Sequence, residues 1–227
     1  NEILPFVTLV FKPSGGFPSP NQFANSVSNA AAFFLARHSG VKGVILTVSD
    51  EELSFESALW LAKCYLTSGE IDLALVGGCD VYTPTVEEYR MRMNALAENS
   101  RMLPIGEGSS WLVLGKDMRE KIGDIYTVQV SARKTTAPDS AQGDDILAAL
   151  PAGLVSERKL WLPGFRLKNP VAPSGFDLFD YLPYSGVFPT ASAYGLASAL
   201  RNTPSSLVVC SNFSDSGRQA MVVAVSR

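Results

Sequence analysis

The chain alternates short, continuous apolar runs with longer segments in which apolar residues recur at helical spacing. Short apolar runs are typical of strands covered on both faces, whereas recurrence every three or four residues indicates a helix. We therefore predict strands at residues 3–11, 44–48, 71–76, 111–114, 125–130, 207–210 and 220–225. Helices are predicted at residues 23–38, 52–66, 86–97 and 191–200.

This alternation of strands and helices predicts an α/β layer fold. The pattern weakens between residues 132 and 184, where Pro and Gly are frequent and only 144–150 and 159–162 indicate regular elements. The regions before and after this segment follow a similar sequence of elements, namely a buried helix, a turn and then apolar strands. We predict a single compact domain over residues 1–227, with related halves at about 1–118 and 119–227.

The composition limits the kind of protein this is. With 227 residues, of which 46% are apolar and 18% charged, the chain can bury one sizeable core or two small ones. The net charge of −3 gives no general attraction to nucleic acid or to an anionic membrane. We also expect no membrane span, because no apolar run is long enough to cross a bilayer.

The cysteines and the single histidine narrow the possible chemistry further. Cys64, Cys79 and Cys210 are scattered and form no metal-ligand motif. We interpret them as buried thiols in a reducing compartment, and we expect the protein to be cytoplasmic. His38 is the only histidine, which excludes a mechanism that needs two imidazoles. We expect no metal and no cofactor.

Residues 47–78 form the most informative segment, reading TVSDEE, then an apolar helix, then SGEIDLALVGG. This segment resembles the nucleophile region of the β-ketoacyl synthases. There a strand ends in Thr-Val-Ser-x-x-Cys, the cysteine opens a buried helix, and a Ser-Gly-Glu turn leads to a strand ending in Gly-Gly. Counted back from Gly69 without a gap, the cysteine position falls on Glu52.

The resemblance extends over most of the chain in the family's order. It includes NSVSNAA at 25–31, GEGS at 106–109 before LVL at 112–114, GDIY at 123–126, SGVFPT at 185–190 and NFSDSGRQA at 212–220. The resemblance implies the thiolase-like fold, in which buried helices lie between and outside two mixed sheets in α-β-α-β-α layers. The chain would be truncated relative to full ketosynthases.

The departures from the family pattern concern its catalytic residues. Glu52 stands at the cysteine position, and Pro189 stands where the family has the histidine of Gly-His-Thr. The His-Gly-Thr-Gly-Thr segment is absent, and its place at 162–165 has no imidazole. The resemblance therefore implies no catalytic residue. It places Ser49, Glu52, Thr190 and Phe213 at the elbow and pocket.

Glu52 admits three interpretations at this point. Ser49 and Glu52 have the spacing of a capping box, in which each side chain bonds the other residue's backbone N–H at a helix start. Alternatively, Glu52 is the floor of a former acyl pocket, where its carboxylate imitates a bound malonyl group. The third possibility is that the alignment to the family segment contains a gap, so that Glu52 is not at the cysteine position.

Non-catalytic relatives with this pattern are chain-length factors, which pair with an active ketosynthase. The short type resembles the partner subunit of aryl-polyene clusters. The resemblance implies an inert subunit in polyketide, aryl-polyene or fatty-acid-like elongation, with an active ketosynthase or a second copy as partner and indirect contact with acyl carrier protein. One alternative is a residual decarboxylase or hydrolase of acyl-carrier thioesters acting through Glu52. Another is a self-associating structural homologue with no acyl role.

Two further groups of residues carry expectations. Five aromatic residues are interpreted as core or interface: Phe176, Phe179, Tyr181, Tyr184 and Phe188. Phe33 and Phe34, with the strand predicted at 44–48, are expected near the two-fold axis of a dimer, because large apolar surfaces need a cover.

Overall fold

The computed structural model describes residues 19–20, 27, 29–82, 87, 91, 94–95, 103–132, 150–154, 156–164, 166–167, 170–214 and 216–227. The chain divides into two units, Asn1–Val48 and Ser49–Arg227. The strand predicted at 3–11 and nearly all of the elements predicted at 86–97 and 144–150 lie outside the described residues. The single-domain arrangement stays a prediction.

In the first unit, helix α1 covers Ala30–Ser39, which confirms the described part of the predicted helix. It ends at Gly40, whose φ of 69° is left-handed and suits glycine. The strand predicted at 44–48 is wrong, because these residues have no regular structure. A strand needs a hydrogen-bonded neighbour, and none of the described strands pairs with this segment. The side chains of Val44, Ile45 and Leu46 are exposed.

The second unit begins with a sharp turn into a buried helix. A 3₁₀ turn, Glu51–Leu53, leads directly into helix α2, Ser54–Ser68. The apolar face of α2 is buried at helical spacing by Phe55, Leu59, Ala62 and Leu66. Gly69 ends the helix with a φ of 79°, and its N–H bonds the Leu66 carbonyl at 3.2 Å.

Strands β1, Leu73–Asp80, and β2, Gly108–Gly115, form an antiparallel pair. The predicted strand at 71–76 is confirmed, but its burial on both faces is not. Val76 and Leu112 lie in the core, whereas the opposite face is exposed. The exposed face carries Leu73, Leu75, Trp111 and Val113.

The second sheet has five strands in the order β3-β7-β6-β4-β5. The strands are β3 Gly123–Ala132, β4 Arg158–Pro163, β5 Asp177–Leu178, β6 Ser206–Phe213 and β7 Arg218–Ser226. Strand β6 is parallel to β4 and antiparallel to β7, so the sheet is mixed. Every residue of β6 is buried, as its continuous apolar run predicts.

Helix α3, Leu182–Ser185, precedes helix α4, Ala191–Asn202. Helix α4 packs on β2, β6 and β7 and, with α2, covers one face of the five-stranded sheet. A Cβ on Gly195 would lie 2.6 Å from the Tyr181 ring, so the small residues of α4 permit this close approach. The other sheet face holds a second apolar cluster that includes Trp161 and Phe213. The packing of helices against a mixed sheet confirms the predicted α/β layer fold.

The aromatic cluster belongs mainly to the core. Phe176, Tyr181 and Phe188 are buried, and Phe179 packs against the core. Tyr184 is the exception, because 83% of its surface is exposed.

Gly78 gives a direct test of how β1 meets α4. A Cβ at this position would overlap the Thr190 side chain. Gly78→Ala should therefore lower the free energy of unfolding by about 1–3 kcal/mol, measured by urea denaturation. The control is Gly43→Ala, because nothing lies within 4 Å of a Cβ there. Equal stability of the two variants would contradict the described packing.

Candidate functional site

The site is built on the turn that opens α2. Glu52 and Leu53 point into the protein and have no exposed surface. Glu51 has a φ of 50°, a left-handed conformation that non-glycine residues rarely adopt. Ser54 supports the turn, since its Oγ accepts from the Asp50 N–H at 2.9 Å and donates to the Glu51 carbonyl at 2.7 Å. Glu52 therefore lies at a helix start, as the count from Gly69 predicts.

The capping-box interpretation of this turn is wrong. Asp50, not Ser49, occupies the N-cap position of the 3₁₀ turn, and no side chain caps it. Ser49 is exposed, whereas the Glu52 carboxylate is turned inward. The capping box does not form because the Glu52 carboxylate bonds a partner in the interior instead of the backbone of Ser49.

That partner is Arg166, which follows β4. Its Nη2 donates to Glu52 Oε1 at 2.8 Å, and the Arg166 side chain is 15% exposed. Removing two charges from water is costly unless they are paired and hydrogen-bonded. The Glu52 carboxylate is consequently held inside the protein by its ion pair with Arg166.

Asn212, near the end of β6, also holds the turn at Glu52 in place. Its Nδ2 donates to the Glu52 carbonyl at 2.7 Å and to Glu56 Oε1 at 3.2 Å. Its Oδ1 accepts from the Phe213 N–H at 3.0 Å, which determines the orientation of the amide. Gly164 passes so close to Asn212 that a Cβ there would overlap Asn212 Oδ1.

Glu56 lies one helical turn below Glu52 and is also fully buried. Burial raises the pKa of Glu56 to about 7, although contacts with Ser192 and Asn212 partly offset this. Burial also raises the pKa of the Cys210 thiol, and the neighbouring Glu56 adds to that effect. The interior of the site therefore favours uncharged forms wherever no arginine is in contact.

A second ion pair holds the outer side of the turn. Arg218, at the start of β7, donates to Asp50 Oδ1, and Ser57 Oγ donates to Asp50 Oδ2 at 2.5 Å. Both charged side chains are partly exposed, so this pair contributes less than a buried one. It nevertheless ties α2 to the five-stranded sheet.

The other predicted site residues lie around this turn in structural roles. The N–H and Oγ1 of Thr190 donate to Asp80 Oδ2 at 2.9 and 2.6 Å, which joins the start of α4 to β1. Pro189 is partly buried just before α4. Phe213 packs in the apolar cluster on the far face of the sheet. Their roles in a pocket stay predictions.

The remaining polar candidates are corrected in part. Cys210 is buried, but Cys64 and Cys79 are exposed, so the buried-thiol interpretation is wrong for those two. Both lie on faces that no described element covers. His38 is exposed near the end of α1. Among the described residues there is no group of side chains suited to a metal ion, and no helix long and apolar enough to cross a bilayer.

Comparison with known proteins matches no family model and no curated protein, but it finds similar solved structures. The ishigamide ketosynthase/chain length factor aligns with a TM-score of 0.80 at 15% identity, over 99% of this chain and 69% of that one. The chain has the thiolase-like fold of the ketosynthases. A β-ketoacyl synthase from Burkholderia phymatum STM815 aligns with a TM-score of 0.72 at 15% identity, over 100% of this chain and 72% of that one.

A third ketosynthase-like structure contains a carrier protein. A type II polyketide ketosynthase in complex with its acyl-carrier protein, AntDE:AntF, aligns with a TM-score of 0.67 at 14% identity. The alignment covers 100% of this chain and 71% of that one. This chain thus shares the fold of the three structures over 69–72% of their length.

The ion pair at the turn predicts a large effect for Arg166. Arg166→Ala leaves the Glu52 carboxylate buried and unpaired, so the free energy of unfolding should fall by about 3–5 kcal/mol. Replacing both residues by leucine should recover most of this loss. Chemical denaturation near neutral pH measures both effects.

Arg158→Ala is the matched control, because it removes an exposed pair in which Arg158 Nε lies 3.6 Å from Asp177 Oδ2. Its effect should stay within about 1 kcal/mol. A loss as small for Arg166→Ala as for Arg158→Ala would show that Glu52 does not depend on the arginine.

Proposed function

We propose that this chain is a catalytically inert, ketosynthase-like subunit of the chain-length-factor type, which acts by pairing with an active ketosynthase. The observation that carries the proposal is the Glu52–Arg166 ion pair at the turn where a ketosynthase holds its nucleophile. The acyl chain being elongated is a polyketide, aryl-polyene or fatty-acid-like chain on an acyl carrier protein. The protein is cytoplasmic in this proposal.

The chemistry of condensation supports inertness. A condensing enzyme needs a thiolate to accept the acyl group and imidazoles to assist decarboxylation and to stabilise the oxyanion. Glu52 offers a carboxylate that is enclosed and bonded to arginine. Pro189 offers no imidazole, and His38 belongs to the first unit.

The same observation disfavours the decarboxylase or hydrolase alternative. A general base must reach the proton that it removes, with a pKa near the operating pH. Glu52 has no exposed surface, and its carboxylate is bonded to Arg166, so it does not reach a substrate proton in this arrangement. Nothing in the site favours a second catalytic function.

A partner subunit is supported by apolar surface in the first unit. Phe33 and Phe34 on α1 are exposed, as are Val44, Ile45 and Leu46 in the extended segment that follows. Monomeric proteins rarely leave such residues uncovered together. We propose that an active ketosynthase covers this surface, and that a second copy covers it when the chain is produced alone.

The first test is enzymatic. The purified chain, given acyl- and malonyl-carrier proteins, should form no 3-oxoacyl product, and Glu52→Cys should remain inactive because no imidazole would assist the thiol. An intact ketosynthase run in parallel verifies the substrates. Steady turnover by the unmodified chain would refute the inert-subunit proposal.

The second test is association. Co-expression with a ketosynthase from the same genome should give a heterodimer by light scattering, with a specific interface of more than roughly 1,000 Å². Leu46→Asp should weaken it at least tenfold, because a charge would be buried in an apolar contact.

Val171→Asp is the control, because Val171 is an equally apolar but highly exposed position in the second unit. It should leave the complex intact. A chain that stays monomeric at high concentration and ignores every such ketosynthase would overturn the proposal. Self-association without any ketosynthase binding would favour the structural homologue instead.

A further inference from the structure

Among the described residues, no cation is bonded to the carboxyl group of Glu56. Its carboxyl group is enclosed between α2, β6 and α4 by contacts with Asn212 and Ser192. Arg166 is bonded to Glu52, and Arg218 is bonded to Asp50. An ionised carboxylate buried without a cation is strongly disfavoured, so such groups take up a proton instead.

The two oxygens of Glu56 have different surroundings. Oε1 accepts the hydrogen bond from Asn212 Nδ2, whose direction is fixed because Asn212 Oδ1 is already bonded to the Phe213 N–H. Oε2 is buried and receives no hydrogen bond from any residue that the structure describes. Ser192 Oγ, on the first turn of α4, is likewise buried without one.

The Ser192 hydroxyl is near enough to the Glu56 carboxyl to lower its pKa. Even so, Glu56 Oε2 and Ser192 Oγ are both buried without a hydrogen-bond partner among the described residues. If Oε2 carried a proton, it could donate a hydrogen bond to the hydroxyl oxygen of Ser192. Both buried oxygens would then have a partner.

We propose that Glu56 is a neutral carboxylic acid in the folded protein and forms a pH-sensitive clamp, with Oε2–H donating to Ser192 and Oε1 holding Asn212. Because Asn212 also holds the Glu52 carbonyl at 2.7 Å, the clamp joins α4 and β6 to the turn. When Glu56 loses its proton to solvent, it loses the donor to Ser192 and gains a charge that no cation in the described part of the chain is bonded to.

The surrounding charges act in the same direction. Asp50 acts on Glu56 through space and disfavours its ionisation. The elements packed against α2 carry these titratable groups: Glu51 and Glu52 on the 3₁₀ turn, Cys79 and Asp80 on β1, Asp124 and Tyr126 on β3, and Arg218 on β7. The clamp is also flanked by Asp50, Arg166, Cys210 on β6, and Tyr194 and Arg201 on α4, and α2 itself carries Lys63, Cys64 and Tyr65. Arg166 and Arg218 are each paired with an acid, and Lys63 donates to the Tyr126 carbonyl.

The sign of the pH dependence follows from the raised pKa. Between pH 4.5 and about 7 the folded chain keeps a proton on Glu56 that the unfolded chain has lost. Stability from this group is therefore complete below pH 4.5, declines as pH rises, and levels off above about pH 7. The change in pKa corresponds to roughly a 300-fold change in the unfolding equilibrium constant.

Urea denaturation across this range, with Glu56→Gln, tests the proposal. Glutamine keeps an oxygen for Asn212 and an N–H for Ser192, but it does not titrate. The variant should gain stability relative to the unmodified chain as pH rises, by up to the roughly 300-fold factor. Glu157→Gln, at an exposed position, is the control and should follow the unmodified chain. A difference that does not change with pH would overturn the proposal.

Infrared spectroscopy gives a readout that does not depend on stability. At about pH 6, exposed carboxyl groups are ionised, so the carbonyl band of a neutral carboxylic acid should report Glu56. The band should be present in the unmodified chain and in Glu157→Gln, and lost in Glu56→Gln. Should Glu56→Gln fail to fold, the unmodified chain alone decides, since absence of the band would refute a neutral Glu56.

Discussion

The buried ion pair between Glu52 and Arg166 is the interaction on which the rest of the site depends. A carboxylate with no exposed surface is tolerable only beside a cation and with its neighbouring polar groups bonded. That requirement ties the turn before α2 to the segment after β4, and Asn212 adds β6 to the same assembly. Three segments distant in sequence must be in place before the charge of Glu52 is satisfied. An ion pair and hydrogen bonds therefore join these three segments within the core.

The elements that could be predicted from the sequence are those whose burial is decided within their own span. The apolar stripe of α2 and the small residues of α4 locate both helices, and the continuous apolar run of β6 predicts its burial on both faces. Prediction failed where the outcome depends on a distant neighbour. Residues 44–48 have the composition of a strand but no described strand beside them, and β1 has the composition of a doubly covered strand but only one packed face.

The site shows the same limit. The place of Glu52 follows from a count along the chain, because the Gly69 turn fixes the end of α2. Its partner could not be predicted, since Arg166 lies 114 residues away in a region of weak periodicity. Asn212 reaches Glu56 across 156 residues, and nothing in the local pattern distinguishes Glu56 from an ordinary exposed glutamate of a helix. The capping box at Ser49 failed for a related reason, because a distant cation outweighs a local backbone contact.

The left-handed backbone at Glu51 shows that contacts from distant segments hold the course of the main chain at this turn. A conformation that costs about 1–3 kcal/mol persists only where the surrounding structure holds it in place. Here the main chain makes a sharp turn into α2, and the side chain at the next position, Glu52, is turned inward and bonded to Arg166. The course of the main chain is thus shared with the ketosynthase structures much more fully than the amino-acid sequence is, since the backbone aligns with a TM-score of 0.80 at only 15% identity.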